Sequence, residues 1–369
     1  MTTPQTAKTY GLGIIKQALG VCIACKRPAV IWGGVGVGKS SLVSQLAREL
    51  EIDLWDLRLS DKEPSDLGGI PVPVTETDGT RRIVYLTNCL IPFVGTRLPD
   101  GRTIDKDYEG ILFIDEIDRA DKSVENVALQ LLLDRQVNGH RLPDGVAIIA
   151  AGNGMSDNGT SAMSDAAATR LVHLYVDTES AESLDSWQDW AQVRNIDPAL
   201  RGFAKYRQSV FTGEPTQFLE LQKPTPRTST WAAELARACE GLPFGHRVIE
   251  PLVFGAVGQV AGREMIAFFK LYDECPTVDQ IVANPRQTTV PSGTNAFGLI
   301  FALGQHLINT NTRDGAEDKP EHTAAFATYA SRWPEEQTAH FFKSASRFLS
   351  SIVQTPEYRA WEKTARLAA

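Results

Sequence analysis

Residues 33–41, Gly-Gly-Val-Gly-Val-Gly-Lys-Ser-Ser, constrain this chain more than any other stretch. They fit the phosphate-binding pattern G-x-x-x-x-G-K-[ST], with Gly33, Gly38, Lys39 and Ser40 at the fixed positions. Glycines let the backbone bend tightly around an anion, so that successive N–H groups converge on it. On this reading Gly33, Gly34, Val35, Gly36, Val37, Gly38, Lys39, Ser40 and Ser41 hold the phosphates of a nucleotide. Lys39 brings a cation to the β- and γ-phosphates, and the Ser40 hydroxyl is placed to ligate Mg²⁺. The flanks agree. Residues 29–32, Ala-Val-Ile-Trp, read as a buried strand, and Leu42, Val43, Leu46, Ala47 and Leu50 recur at helical spacing. The loop therefore lies between a strand and a helix N-terminus, where the helix dipole favours anions. A chance glycine-rich turn would have neither flank.

At 369 residues the chain is long enough for two or three domains with cores of their own. The formal net charge of −8 weighs against a general nucleic-acid binder, which carries a basic excess. No apolar run is long enough to span a bilayer, and no basic-then-apolar leader opens the sequence, so a cytoplasmic protein is expected. The five cysteines are an odd number. Cys22 and Cys25 form a C-x-x-C without a second pair at zinc-site spacing. They fall in a helical pattern, which favours buried reduced thiols over metal or redox work. The six histidines show no metal-binding spacing.

A helix over 10–24 leads into the first strand, and a second strand is expected over 54–59. An insertion over 63–73 follows, then Asp78-Gly79, a two-residue hairpin signal. Residues 110–118, Gly-Ile-Leu-Phe-Ile-Asp-Glu-Ile-Asp, read as a buried parallel strand with carboxylates at its C-terminal edge. Ligands bind at that edge in α/β sheets. Asp115 is expected to hold Mg²⁺ and Glu116 to polarise an attacking water. An amphipathic helix over 123–134 and a small ribbon around Asn138-Gly139 come next. The third strand, 146–151, ends at Gly152-Asn153-Gly154, where Asn153 either holds the lytic water or the γ-phosphate or is a plain turn residue. A loop over 156–160, a short helix over 164–169 and a last strand over 171–176 close the pattern. Strands alternating with helices give a parallel sheet covered on both faces. Beyond it, a Pro-rich loop over 213–225 is followed by residues 224–229, whose Ser and Thr signal the start of a helical run over 231–239. The remainder is helical in pattern, with a mobile loop expected over 311–321. Trp333, Phe341, Phe342 and Phe348 are expected in a core.

This run of motifs resembles an AAA+ ATPase, and within that group the MoxR branch. The similarity covers roughly residues 10–240. Pro64-Ser65-Asp66-Leu67 looks like the branch's insertion, and Asp115-Glu116-Ile117-Asp118-Arg119-Ala120 like its D-E-I-[ND]-R-A. Ala150-Ala151-Gly152-Asn153 resembles its A-x-x-N, which implies a sensor-1 role for Asn153. Ala167-Ala168-Thr169-Arg170-Leu171 stands where the family has A-x-x-[DS]-R-F, so Arg170 matches the arginine finger, with Leu171 in place of the usual Phe. Pro224-Thr225-Pro226-Arg227 looks like P-[ST]-P-R, which makes Arg227 sensor 2. Arg170 could instead cap a helix C-terminus, and Arg227 could be an ordinary helix-start arginine.

The resemblance implies an α/β P-loop fold with a core over 1–210, a helical lid over 211–300 and a helical extension over 301–369. It implies an ATPase using ATP and Mg²⁺, assembled as a homo-oligomeric ring of six. Its action would be chaperone-like remodelling of a protein client, often with a von Willebrand A domain partner. The insertion and the Asn138-Gly139 hairpin would face that client or the ring axis; the lack of obvious aromatics there weighs against threading. A nucleic-acid motor or loader, and a nucleotide-gated scaffold with little turnover, are the rival readings.

Overall fold

The structure is a computed structural model. It describes residues 8–87, 89–153, 168–177, 181–208, 211, 222, 224–241, 245–312 and 318–368. The expected loop over 156–160, most of the helix over 164–169, most of the Pro-rich loop, and residues 313–317 of the expected mobile loop lie outside these. The chain divides into two compact units, residues 1–183 and 184–369.

In the first unit, helix α1 (Leu12–Ala24) leads into strand β1 (Ala29–Trp32), and helix α2 (Lys39–Glu49) into β2 (Asp53–Arg58). A short helix, α3 (Pro64–Gly68), opens the insertion, followed by β3 (Ile70–Thr75) and β4 (Arg81–Leu86). Then come β5 (Glu109–Asp115), α4 (Lys122–Asp134), β6 (Gln136–Val137), β7 (His140–Arg141), β8 (Gly145–Gly152) and β9 (Val172–Tyr175). The main sheet has five strands in the order β2-β5-β8-β1-β9, and every pairing is parallel.

The strand sequences explain why both faces are covered. Alternate residues point to opposite sides. Ala29, Ile31, Ile111, Phe113, Ile149 and Ala151 meet Ile15 and Leu19 of α1 and Leu42, Val43 and Leu46 of α2. Val30, Leu112, Ile114, Ile148 and Ala150 meet Val124, Ala128, Leu131 and Leu132 of α4 on the other side. Continuous apolar strands are what a doubly covered parallel sheet requires.

Two small ribbons stand beside this sheet, and they turn differently. Asn138 and Gly139 both take positive φ, 48° and 88°, as a two-residue type I′ turn needs. At the other ribbon only Gly79 does, at 85°. Glu76 N donates to Thr80 O at 2.8 Å, and the Asp78 carboxylate accepts from Thr80 N at 2.9 Å. The loop is thus three residues long, ending on a left-handed glycine, rather than the two-residue turn expected at Asp78-Gly79. The ribbons are tied together. Asn138 Nδ2 donates to Gly68 O at 2.8 Å, and His140 Nε2 donates to Tyr85 O at 2.6 Å.

The cysteine pair departs from expectation. Cys22 is half-buried and Cys25 exposed. The buried stripe of α1 is Ile15 and Leu19, and the helix ends at Ala24, so Cys25 falls past the last turn that meets the sheet.

The second unit is helical: α5 (Ala181–Val193), α6 (Pro198–Tyr206), α7 (Pro226–Ala238), α8 (Gly245–Val257), α9 (Gln259–Asp273), α10 (Val278–Ala283), α11 (Ala296–Thr312), α12 (Pro320–Ala330), α13 (Glu335–Phe348) and α14 (Pro356–Ala368). One core gathers Leu184, Trp187, Leu200, Phe203, Ala232, Val253 and Phe268. A second gathers Ile281, Ile300, Leu303, Phe326, Tyr329, Trp333, Phe341 and Phe342. Helices α5 and α6 therefore pack with the helices after them, in the unit that begins at residue 184. Phe348 is exposed, at the margin of the buried stripe of α13.

Arg237 stitches the first of these cores. Its guanidinium donates to Asp197 (2.7 Å), Glu240 (2.7 Å) and Asp273 (2.8 Å), and it stacks near Phe269. Burial alone would lower its pKa; the charge of Asp197 and the bonds to the three carboxylates more than offset this and raise it. Arg237→Ala is expected to cost the second unit about 2 kcal/mol, with the more exposed Glu240 and Asp273 contributing little of it. Denaturant unfolding would check this, and a loss below about 0.5 kcal/mol would show the cluster to be screened by solvent. No helix among the described residues is long and apolar enough to cross a membrane.

Candidate functional site

The sheet's C-terminal edge gathers the side chains expected to act on a nucleotide. Gly36 and Gly38 take φ values of 80° and 99°, and Gly38 caps the N-terminus of α2. These left-handed positions turn the main chain around the loop, and a residue with a Cβ would be strained there. Gly33 N continues the sheet by donating to Gly152 O at 3.3 Å. The loop is thus anchored at its root and free to present backbone N–H groups beyond it.

Lys39 is buried, and its Nζ donates to Gly33 O (2.7 Å), Gly34 O (3.0 Å) and Asn153 Oδ1 (2.9 Å). These three oxygens, all neutral, hold the ammonium at the curl of the loop. Bonds of this kind can be exchanged for bonds to phosphate, which are charge-assisted and stronger. Ser40 Oγ donates to Asp115 Oδ2 at 3.1 Å, and Glu116 N donates to Asp115 Oδ1 at 2.9 Å. A hydroxyl and a carboxylate side by side are oxygen donors of the kind Mg²⁺ takes, with water completing its shell. The residues present fit both a nucleotide triphosphate and that ion.

Glu116 follows immediately and takes φ 57°. A left-handed glutamate is uncommon, costs on the order of 1–3 kcal/mol, and clusters at functional positions. The turn takes Glu116 out of the strand and leaves it half-buried, while Ile117 N returns to the sheet at Ala151 O.

Two residues in this site carried no assigned role in the sequence. Asp118 is buried, and its Oδ2 accepts from Asn153 N at 2.8 Å, fixing the end of β8 so that the Asn153 side chain meets Lys39. Gly152 lies under the Trp32 ring, and a Cβ there would come within 2.4 Å of Trp32 Cζ3 and 3.1 Å of Asp118 Cγ. Both could be noticed in the sequence, as the second acid of the D-E-I-D run and the glycine before Asn153. Their roles depend on neighbours that only the fold supplies. Gly152→Ala is expected to displace Trp32, the residue before the loop, and to weaken nucleotide binding about tenfold or more, since overpacking of this kind costs about 1–3 kcal/mol. Titration with a fluorescent nucleotide checks it; parent-like affinity would mean that the ring moves aside freely.

The remaining expected residues lie elsewhere. Arg170 is exposed, in the turn before β9. Val172 pairs with Ala29 and Tyr175 with Trp32, so the turn is at the sheet's N-terminal edge while the glycine loop leaves the C-terminal edge. Three strand steps of about 3.3 Å put about 10 Å between those edges along the strands. Ala167, the first residue of its motif, lies outside the described residues. Arg227 belongs to the second unit. It is exposed in the first turn of α7, behind a capping box of Thr225 and Thr228.

Comparison with known proteins gives one family match. Residues 29–172 fit the model described as ATPase family associated with various cellular activities (AAA). No curated protein matches the chain. Among solved structures, a candidate ATPase from Cytophaga hutchinsonii is 14% identical at a TM-score of 0.35, covering 71% of this chain and 90% of that one. The Holliday junction branch migration motor RuvB of Thermotoga maritima is 16% identical at a TM-score of 0.39, covering 75% of this chain and 76% of that one. Overlays this loose transfer nothing to the present chain.

Proposed function

We propose that the chain is a cytoplasmic MoxR-like AAA+ ATPase, a reading supported by the fit of residues 29–172 to the AAA ATPase family model. It works as a homo-oligomeric ring, of six subunits by resemblance, and couples ATP hydrolysis to remodelling of a protein client or a von Willebrand A domain partner. The observation that carries the hydrolytic part is the convergence of Lys39, Ser40, Asp115 and Asn153 through direct hydrogen bonds at one sheet edge.

The loop amides and Lys39 bind the β- and γ-phosphates, Lys39 leaving the carbonyls of Gly33 and Gly34 to do so. Ser40 and Asp115 would hold Mg²⁺, which would offset charge on the phosphates when bound. Glu116 orients and polarises the attacking water, and Asn153 helps to place it. Arg170 cannot readily reach its own loop from the opposite sheet edge, which supports its acting on the neighbouring subunit. Such head-to-tail contacts close into rings. Arg227 senses the γ-phosphate from the helical unit. A cation at a helix N-terminus is unfavourable to that helix, so its place there favours a role toward an anion.

Lys39→Ala is expected to abolish measurable ATP binding and hydrolysis with the fold intact, read by titration and by circular dichroism. Retained affinity would undo the phosphate-loop assignment. Adding DNA or RNA to the parent chain is expected to leave its hydrolysis rate unchanged; strong stimulation would favour the nucleic-acid motor instead.

A further inference from the structure

Trp32, His173 and Tyr175 form a row of stacked rings across β1 and β9. Trp32 Nε1 donates to His173 Nδ1 at 2.9 Å. With Nδ1 accepting, the neutral imidazole carries its proton on Nε2, and that nitrogen donates to Ala168 O at 2.8 Å. These two bonds have separate ends. Ala168 is two residues from Arg170. Trp32 immediately precedes the glycine loop, and its ring packs against Gly152, whose successor Asn153 bonds Lys39. One imidazole thus joins the turn at the N-terminal sheet edge to the root of the phosphate loop at the other.

We propose that His173 is a positioning residue that couples a subunit's own phosphate loop to the placement of its Arg170. This rests on the reading in which Arg170 serves the adjoining subunit. The coupling has a defined two-state element at its start: Lys39 is bonded either to Asn153 and the loop carbonyls or to phosphate. Release of Asn153 changes what Gly152 presents to the Trp32 ring, and no Cβ at 152 cushions the contact. Trp32 is not free to answer alone, because its indole N–H is committed to His173. The imidazole is held at both nitrogens, so a shift of the indole is passed to the Ala168 carbonyl and the turn that carries Arg170. A hydrophobic residue at 173 would fill the same space but transmit no such directional constraint.

The test compares two variants in the full chain. His173→Phe keeps the ring stack and loses both hydrogen bonds. His173→Gln can accept from Trp32 and donate to Ala168. The Phe variant is expected to keep its ATP Kd and melting temperature close to those of the parent, while kcat falls about 10–10²-fold, the scale of a misplaced catalytic group. The Gln variant is expected to recover much of that loss. A split of this kind, with binding intact, is not what a merely structural defect produces. Parent-like kcat in His173→Phe overturns the coupling, as does an equal loss of affinity and turnover. If His173→Phe fails to fold, Trp32→Phe breaks the link at both the indole donor and the ring edge against Gly152, and is read by the same criteria. Arg170→Ala is run alongside. If it hydrolyses normally, both the trans reading and the coupling fall; if it is slow while His173→Phe is fast, the coupling alone falls.

Discussion

Glu116→Gln is expected to bind ATP as the parent chain does and to hydrolyse it about 10²–10⁴-fold more slowly, the usual contribution of a positioned general base. The surroundings make this substitution clean. Asp115 is fixed independently, by the Ser40 hydroxyl and by the Glu116 main-chain N–H, and neither bond uses the Glu116 side chain. Glutamine has nearly the same shape and the same aversion to a φ of 57°, so the backbone strain at this position is unchanged. Phosphate release at saturating ATP, alongside a nucleotide titration, separates the two quantities. Normal turnover with normal affinity would move the base to another residue and empty the strained glutamate of its role. A parallel loss of affinity would mean that position 116 helps to build the pocket itself.

What could be read from the sequence was local. The glycine loop declares itself because its fixed residues are adjacent in the chain and its strand and helix flank it directly. Asp115 and Glu116 stand out because the four apolar residues before them read as a buried strand whose end they mark. Contacts made by distant segments were hidden. Nothing around residue 152 says that an indole from residue 32 will lie against it, and nothing around residue 173 says which groups its two nitrogens will meet. Turn signals were read correctly in kind and not always in length. Asn138-Gly139 takes the two-residue form because both residues accept positive φ, whereas at Asp78-Gly79 the aspartate is used to hold Thr80 and only the glycine turns left-handed. Which unit residues 184–206 join is likewise a non-local matter. Residues 184–206 follow the sheet in sequence, but Leu184, Trp187 and Phe203 find their apolar partners at 232, 253 and 268.

Arg170→Ala carries the largest expected effect on rate: binding retained and kcat lower by about 10³–10⁵, the worth of an arginine supplied to a γ-phosphate from a neighbour. The geometry makes the prediction specific to an assembly. Val172 lies opposite Ala29, so the turn holding Arg170 starts at the end of the sheet remote from its own glycine loop. An arginine there that mattered only as a helix cap would contribute a few tenths of a kcal/mol to stability and nothing to rate. Mixing distinguishes the possibilities. An Arg170→Ala subunit keeps its own Glu116 and lacks the arginine it would lend; a Glu116→Gln subunit keeps the arginine and lacks the base. Each is nearly inactive alone. In mixed rings some boundaries pair an intact Glu116 with an intact Arg170, so turnover is expected to reappear and to depend on the mixing ratio. If no mixture recovers activity although the two variants co-assemble, Arg170 acts within its own subunit or not at all, and the ring is no longer needed to complete the site.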